Sequence, residues 1–171
     1  MSRSADMLQT LLLALQNTGI AVAIREGNNF FPWIECVHVL GLTIVIGSIG
    51  IVDLRLIGLT SRDRTVAQTT AGVLPLTWCA FALAAITGAL LFCSNAVTYA
   101  HNSYFQAKIA LIAIAGLNMS IYHILSAGRA GDWRTGGQTP LRFKIVGAAS
   151  LSLWIGIVAC GRWIGFTINA L

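Results

Sequence analysis

Apolar positions along this chain gather into four long runs, at 33–58, about 73–97, 104 to about 127, and 141–168. A helix rises 1.5 Å per residue, so roughly 20 apolar residues cross the hydrocarbon layer, and each run is long enough. Strand-like alternation and repeats of 20–50 residues are both missing. Pro32 and Pro140 stand just before two of the starts, where a missing N–H costs little, and Pro75 is expected in the first turn of another. The breaks SRDRTVAQTTAG and GRAGDWRTGGQT are polar, and the second carries the glycine punctuation of a loop. The pattern predicts an all-α, integral-membrane four-helix bundle forming a single membrane domain over 1–171, with no soluble domain inserted.

The segment before the first run behaves differently. In MLQTLLLALQNTGIAVAI, Leu8, Leu11, Leu12, Leu15 and Val22 form a helical stripe, while Gln9, Gln16 and Asn17 fall off it. The expectation is an amphipathic helix over 7–24 lying in the membrane interface. A short fifth span is one alternative. A cleaved signal sequence is another, with Ala21-Val22-Ala23 imitating a cleavage site.

Composition supports lipid as the solvent. The chain is 56% hydrophobic and only 10% charged, against about 25% charged in soluble domains. Its net charge of +5 does not read as a nucleic-acid footprint, because the basic residues cluster in short breaks between apolar runs. Arg55, Arg62, Arg64, Arg129, Arg134, Arg142 and Lys144 fall on one side; Arg3, Arg25, Lys108 and Arg162 fall on the other. Positive charge marks the cytoplasmic side. The expected setting is a bacterial inner membrane, multi-pass, with the first run going from outside to inside and the C-terminus periplasmic.

That orientation gives the polar residues a depth. Glu35, Cys36 and His38 lie within two turns of the outer end of the first run. Cys93, His101, Lys108, Cys160 and Arg162 come from the other runs and the outer connection at the same level. Ionisable groups in membrane segments are costly and usually face the bundle interior, which makes them candidates for function. Each has an ordinary explanation as well. Glu35 can neutralise Lys108 or Arg162, or bond His38 three residues on; Lys108 can snorkel; His101 can be a plain loop residue. Their joint occurrence at one depth favours a site. At the inner end lie Asp53, Asn118 and His123. Asp53 follows Glu35 by five turns on the same helix face; the favoured reading is an ion pair with a loop arginine. His123 can serve as an interface anchor.

Helix histidines in such a bundle invite a b-type haem, whose two axial ligands must share a depth. His38 and His123 are roughly 20 Å apart in depth at 1.5 Å per residue, so they cannot share an iron. His38 and His101 can, if the loop tucks inward, with Lys108 or Arg162 for the propionates and Glu35 beside them. Single-histidine ligation or a His–Met pair through Met7 or Met119 remains open. A copper or zinc site on Cys36, His38, Cys93 and His101 is the alternative cofactor, since thiolate and imidazole suit both metals. The four cysteines, with Cys79 and Cys160 included, form no C-x-x-C pair and no disulfide framework. A third option is no cofactor at all. Gly161 and Gly165 in GRWIG, with Gly41, Gly47, Ser48 and Gly50, let helices approach closely, either within this bundle or against a larger membrane complex or a second copy. No Ser–His–Asp set, HExxH, phosphate loop or suitably paired carboxylates occur, so catalysis by this chain alone is not expected.

The stretch IREGNNFFPWIECVHVLGLTIVIGSIGIVDLRLIGL carries FP-x-x-E-x-x-H-x-x-G and D-L-R-L-x-G, joined later by Lys108, Asn118 and SLSLWIGIVACGRWI. In these residues the chain resembles a family of small uncharacterised bacterial integral-membrane proteins, over nearly its whole length. Asn28-Asn29 stand where a Ser-aromatic pair would be expected. The resemblance implies a four-helix membrane fold and brings no activity with it. A looser likeness, in topology only, is to four-helix b-type cytochromes and copper-resistance membrane proteins.

The functional expectation is a redox-linked protein of electron-transfer type, holding a cofactor near the outer leaflet around Glu35, His38, His101 and Lys108. The alternative is a cofactor-free accessory subunit. The haem option predicts a Soret band from the detergent-purified protein that His38→Ala abolishes; a spectrum without that band, before and after dithionite, removes haem from consideration.

Overall fold

A computed structural model of the chain describes residues 2–60, 66–126 and 139–168. Every regular element among them is a helix: α1 (Ser2–Gln16), α2 (Gly19–Glu26), α3 (Phe30–Ile57), α4 (Val66–Ser94), α5 (Ala96–His101), α6 (Ser103–Ser126) and α7 (Leu141–Ile168). Among the described residues, α3, α4, α6 and α7 are each long and apolar enough to cross a membrane, and the bent pair α1–α2 passes the same test when taken as one broken span. Arg62, Arg64, Arg129 and Arg134 lie outside the described residues.

Capping residues set several boundaries that hydropathy does not mark. The single helix expected over 7–24 is two helices meeting at a 63° bend. The break falls at Thr18, whose backbone is extended and whose hydroxyl accepts from the Ala21 N–H, a helix start in mid-segment. Arg25 then pins the corner. Its Nη1 donates to the Gln16 carbonyl at the end of α1 and to the Ser94 carbonyl at the end of α4, both at 3.2 Å. A cation there suits two helix C-termini at once. Gln16 adds a link to α5 by accepting from the Val97 N–H.

Two more boundaries differ from expectation. Helix α4 starts at Val66 rather than 73, so Pro75 sits inside it instead of in its first turn. Proline there forgoes the bond to the carbonyl four residues back, a loss that membrane helices tolerate when neighbours satisfy the freed group. The outer connection around His101 is not a loop but the short helix α5. Asn102 closes it and opens α6, its Oδ1 accepting from the Tyr104 and Phe105 N–H groups.

Helix α3 packs against α4 on one side and α7 on the other, and α7 packs against α6. Close approach uses small residues. A Cβ at Gly41 would lie 3.3 Å from the Ala80 carbonyl oxygen of α4. One at Gly147 would lie 2.9 Å from Leu56 Cβ and 3.1 Å from the Asp53 carbonyl oxygen of α3. Apolar side chains fill the seams: Val45, Ala80, Trp154 and Ile157 in the middle, Leu56 and Phe143 towards the Ile57 end. Helices α4 and α6 are not a packed pair. The ring of four is therefore closed on three sides and loose on the fourth. With one close neighbour among the long helices, α6 buries none of its apolar window.

The Gly147 contact predicts an asymmetry between glycines. Gly147→Val should lower stability in detergent by about 1–3 kcal/mol through overpacking. Gly47, with nothing within 4 Å of its Cβ position, should accept alanine with no loss, or a gain of up to about 1 kcal/mol from helix propensity. Thermal melts of the two variants check this.

Candidate functional site

At the end of the bundle covered by α1, α2 and α5, the residues expected to form a site have separate settings. His38 enters a notch in α4 left by Gly88, where a Cβ would come within 2.9 Å of its Cε1. Its Nδ1 lies 2.9 Å from the Ala84 carbonyl oxygen and 3.1 Å from Thr87 Oγ1. A carbonyl only accepts, so Nδ1 carries the hydrogen and Nε2 of the neutral ring is the lone-pair nitrogen. Lys108 is within electrostatic reach of His38. Its ammonium lies over Gly161, 3.4 Å from where a Cβ would stand. Gly161 thus serves packing inside this chain, while Gly165 faces open space. Cys160 is also within reach of Lys108.

The other expected members point elsewhere. Glu35 is exposed and, among the described residues, makes no ion pair; its charge reaches Tyr99 of α5. Burial, and after it the Glu35 charge, raise the Tyr99 hydroxyl above its ordinary pKa. His101 is exposed, with Nδ1 turned to the Val97 carbonyl of its own helix at 2.9 Å. Arg162 lies over the Phe166 ring at 4.8 Å. Cys36 is exposed and Cys93 half-buried. Among the described residues no three His, Cys, Asp or Glu side chains converge as a metal site requires.

At the other end, a cavity of about 230 Å³ lies between the four long helices, from the level of Ser48 to that of Leu56. Its wall is mostly apolar, with Trp78, Phe81 and Trp154 among the aromatic contributions. Polar groups enter it from every side: Asp53 from α3, Thr70 from α4, Asn118, Tyr122 and His123 from α6, and Ser150 from α7. Asp53 is only 4% exposed. Ser150 lies close to its carboxyl, yet its Oδ2 is buried without a partner, as is Thr70 Oγ1. Tyr122 lies close to Thr70. Asn118 donates its amide to the Val146 carbonyl at 3.1 Å, which holds α6 to α7 at the cavity wall.

The ion pair expected for Asp53 is with a loop arginine, and Arg62, Arg64, Arg129 and Arg134 lie outside the described residues. Depth explains why Asp53 and Glu35, on one face of α3, differ so much. Glu35 lies in the second turn of α3, beyond the reach of its neighbours' packing, and Asp53 lies where α7 presses closest at Gly147. Sequence reasoning gave weight to the outer set because histidines and cysteines gather there. The cavity had a signal too, since Asp53, Asn118 and His123 share a depth.

An orphaned buried carboxyl is a cost that structure alone does not offset. Asp53→Asn, which keeps an oxygen near Ser150, should leave the melting temperature unchanged or raise stability by up to about 2 kcal/mol, the pattern of a residue kept for function. A loss of about 3–5 kcal/mol would instead mark Asp53 as half of a buried ion pair.

No curated protein and no solved structure matches the chain. Residues 21–167 match DUF6644, described as a family of unknown function, and that span takes in all four long helices together with α5. The chain belongs to this family.

Proposed function

We propose that the protein binds a small, membrane-soluble molecule in the cavity between its long helices. The observation that supports this is the unpartnered, buried Oδ2 of Asp53 in a mostly apolar chamber. Ligand sites are typically apolar hollows with a few convergent polar groups, and an ionisable residue inside a membrane bundle is a functional candidate by default. The loose seam between α4 and α6 offers a way in from the lipid. On the orientation given by positive charge, the cavity belongs to the cytoplasmic half of a bacterial inner membrane and the C-terminus is periplasmic. Arg55, Arg142 and Lys144, at the cavity's end of the bundle, support that orientation.

A second reading keeps a cofactor of redox type, b-type haem before copper or zinc, near the outer leaflet. It is favoured by the fixed tautomer of His38. An imidazole whose Nδ1–H is held by a backbone carbonyl presents Nε2 as a ligand, an arrangement metal-binding histidines use. The likeness to four-helix cytochromes adds topology alone. The accessory-subunit alternative retains exposed small-residue positions at Gly47 and Gly165.

Tryptophan emission tests the binding reading, since Trp78 and Trp154 both line the cavity. Titration of the detergent-purified protein with toluene should give a saturable change. Val73→Phe, which places a ring in the α4 wall, should abolish it while circular dichroism stays unaltered. A response in wild type that is linear, or equal in the two proteins, would leave the cavity without a ligand-binding role.

A further inference from the structure

The geometry points to an organic cation as the ligand: an amine or ammonium group on a compact apolar body, held with its charge at Asp53. This inference rests on the cavity being a binding site, and adds the class of molecule it takes.

Charge is the first argument. Among the described residues the cavity wall carries one carboxyl and no lysine or arginine. Its remaining titratable groups are Tyr122 and His123, both from α6. Arg55, two residues beyond Asp53, is buried but is not part of the wall. An ionised carboxylate in apolar surroundings needs a counter-charge and hydrogen-bond donors. Among the described residues the protein provides Ser150 for one side of the carboxyl and nothing for Oδ2. An ammonium ligand meets both needs with a charge-assisted bond, the stronger kind.

Wall chemistry is the second. Trp78, Phe81, Tyr122 and Trp154 present aromatic rings to the same space, and ring faces attract cations, most of all when water is excluded. Among the described residues, several of the neighbouring polar groups are already engaged. Thr77 and Ser48 bond each other at 2.8 Å, and the Asn118 amide is spent on Val146. A ligand rich in acceptors and poor in donors would leave Oδ2 unanswered.

Size is the third. About 230 Å³ exceeds the roughly 150 Å³ that accommodates benzene and falls short of the roughly 300 Å³ at which drug-sized sites begin. One ring with a short charged arm fits those bounds.

The test compares three probes of nearly one shape, toluene, benzyl alcohol and benzylamine, by tryptophan emission of the full-length protein near neutral pH. Responses are measured against Val73→Phe to remove micelle partitioning. Benzylamine should bind at least about tenfold more tightly than benzyl alcohol, and Asp53→Asn should erase that preference. Asp53→Ser serves the same purpose should the asparagine variant fail to fold. Equal affinity for amine and alcohol, or a preference that survives removal of the carboxylate, overturns the cation assignment and leaves the binding cavity standing. Saturable binding of none of the three probes overturns both.

Discussion

The close seating of α7 on α3 at Gly147 is the contact on which the rest of this architecture depends. Backbone approaches side chain and backbone there with no room for a Cβ. In lipid no hydrophobic force draws helices together, so such contacts and buried hydrogen bonds decide which helices pair. Gly41 does the same for α3 and α4, and Gly156 sits 3.3 Å, by its Cβ position, from Leu111 of α6. These contacts serve three of the four sides of the ring. Between α4 and α6 no comparable contact forms. The chamber is where two helices held by different partners fail to meet.

That arrangement also separates two chemistries that the sequence places on one helix. Near its start, α3 offers His38 to α4, in a notch made by Gly88 and bonded to a main-chain carbonyl. Near its end it turns Asp53 inward, under the pressure of α7. The first group is satisfied on one nitrogen by the fold; the second has an oxygen that the described residues do not satisfy. Satisfied groups in membranes hold helices in register, whereas unsatisfied ones need water, a proton or a ligand. This contrast places the stronger case for binding at Asp53.

How much was legible in the sequence follows the same physics. Hydropathy identifies a span wherever the whole circumference is apolar, so the four long helices and the all-α class were readable. It says little about ends. Helix α4 begins seven residues early because its first turns, VAQTTAG, are polar yet helical. The break between α1 and α2 turns on Thr18, one hydroxyl in a segment whose stripe runs straight across it. Depth was readable for the candidate residues from counting alone, but direction around the helix was not. Arg162 leans on Phe166 and His101 folds back on α5, both consequences of local partners that no spacing rule reveals. Gly161 could be seen as a small residue, but not as the floor beneath Lys108.

A cavity is harder to foresee than a contact, because it is made by what does not pack. No residue type announces that α4 and α6 stay apart; the result follows from where glycines sit on α3 and α7. The orphaned carboxyl is what gives the space meaning. An apolar void of this size would stay dry and cost packing energy in its walls, and substitutions that enlarge neighbouring side chains could close it. Asp53 instead keeps a polar demand at its edge, within a wall of hydroxyls and aromatic rings that, among the described residues, carries no lysine or arginine. A helix interior that would be filled most simply by one more leucine holds a carboxyl oxygen that none of the described residues answers.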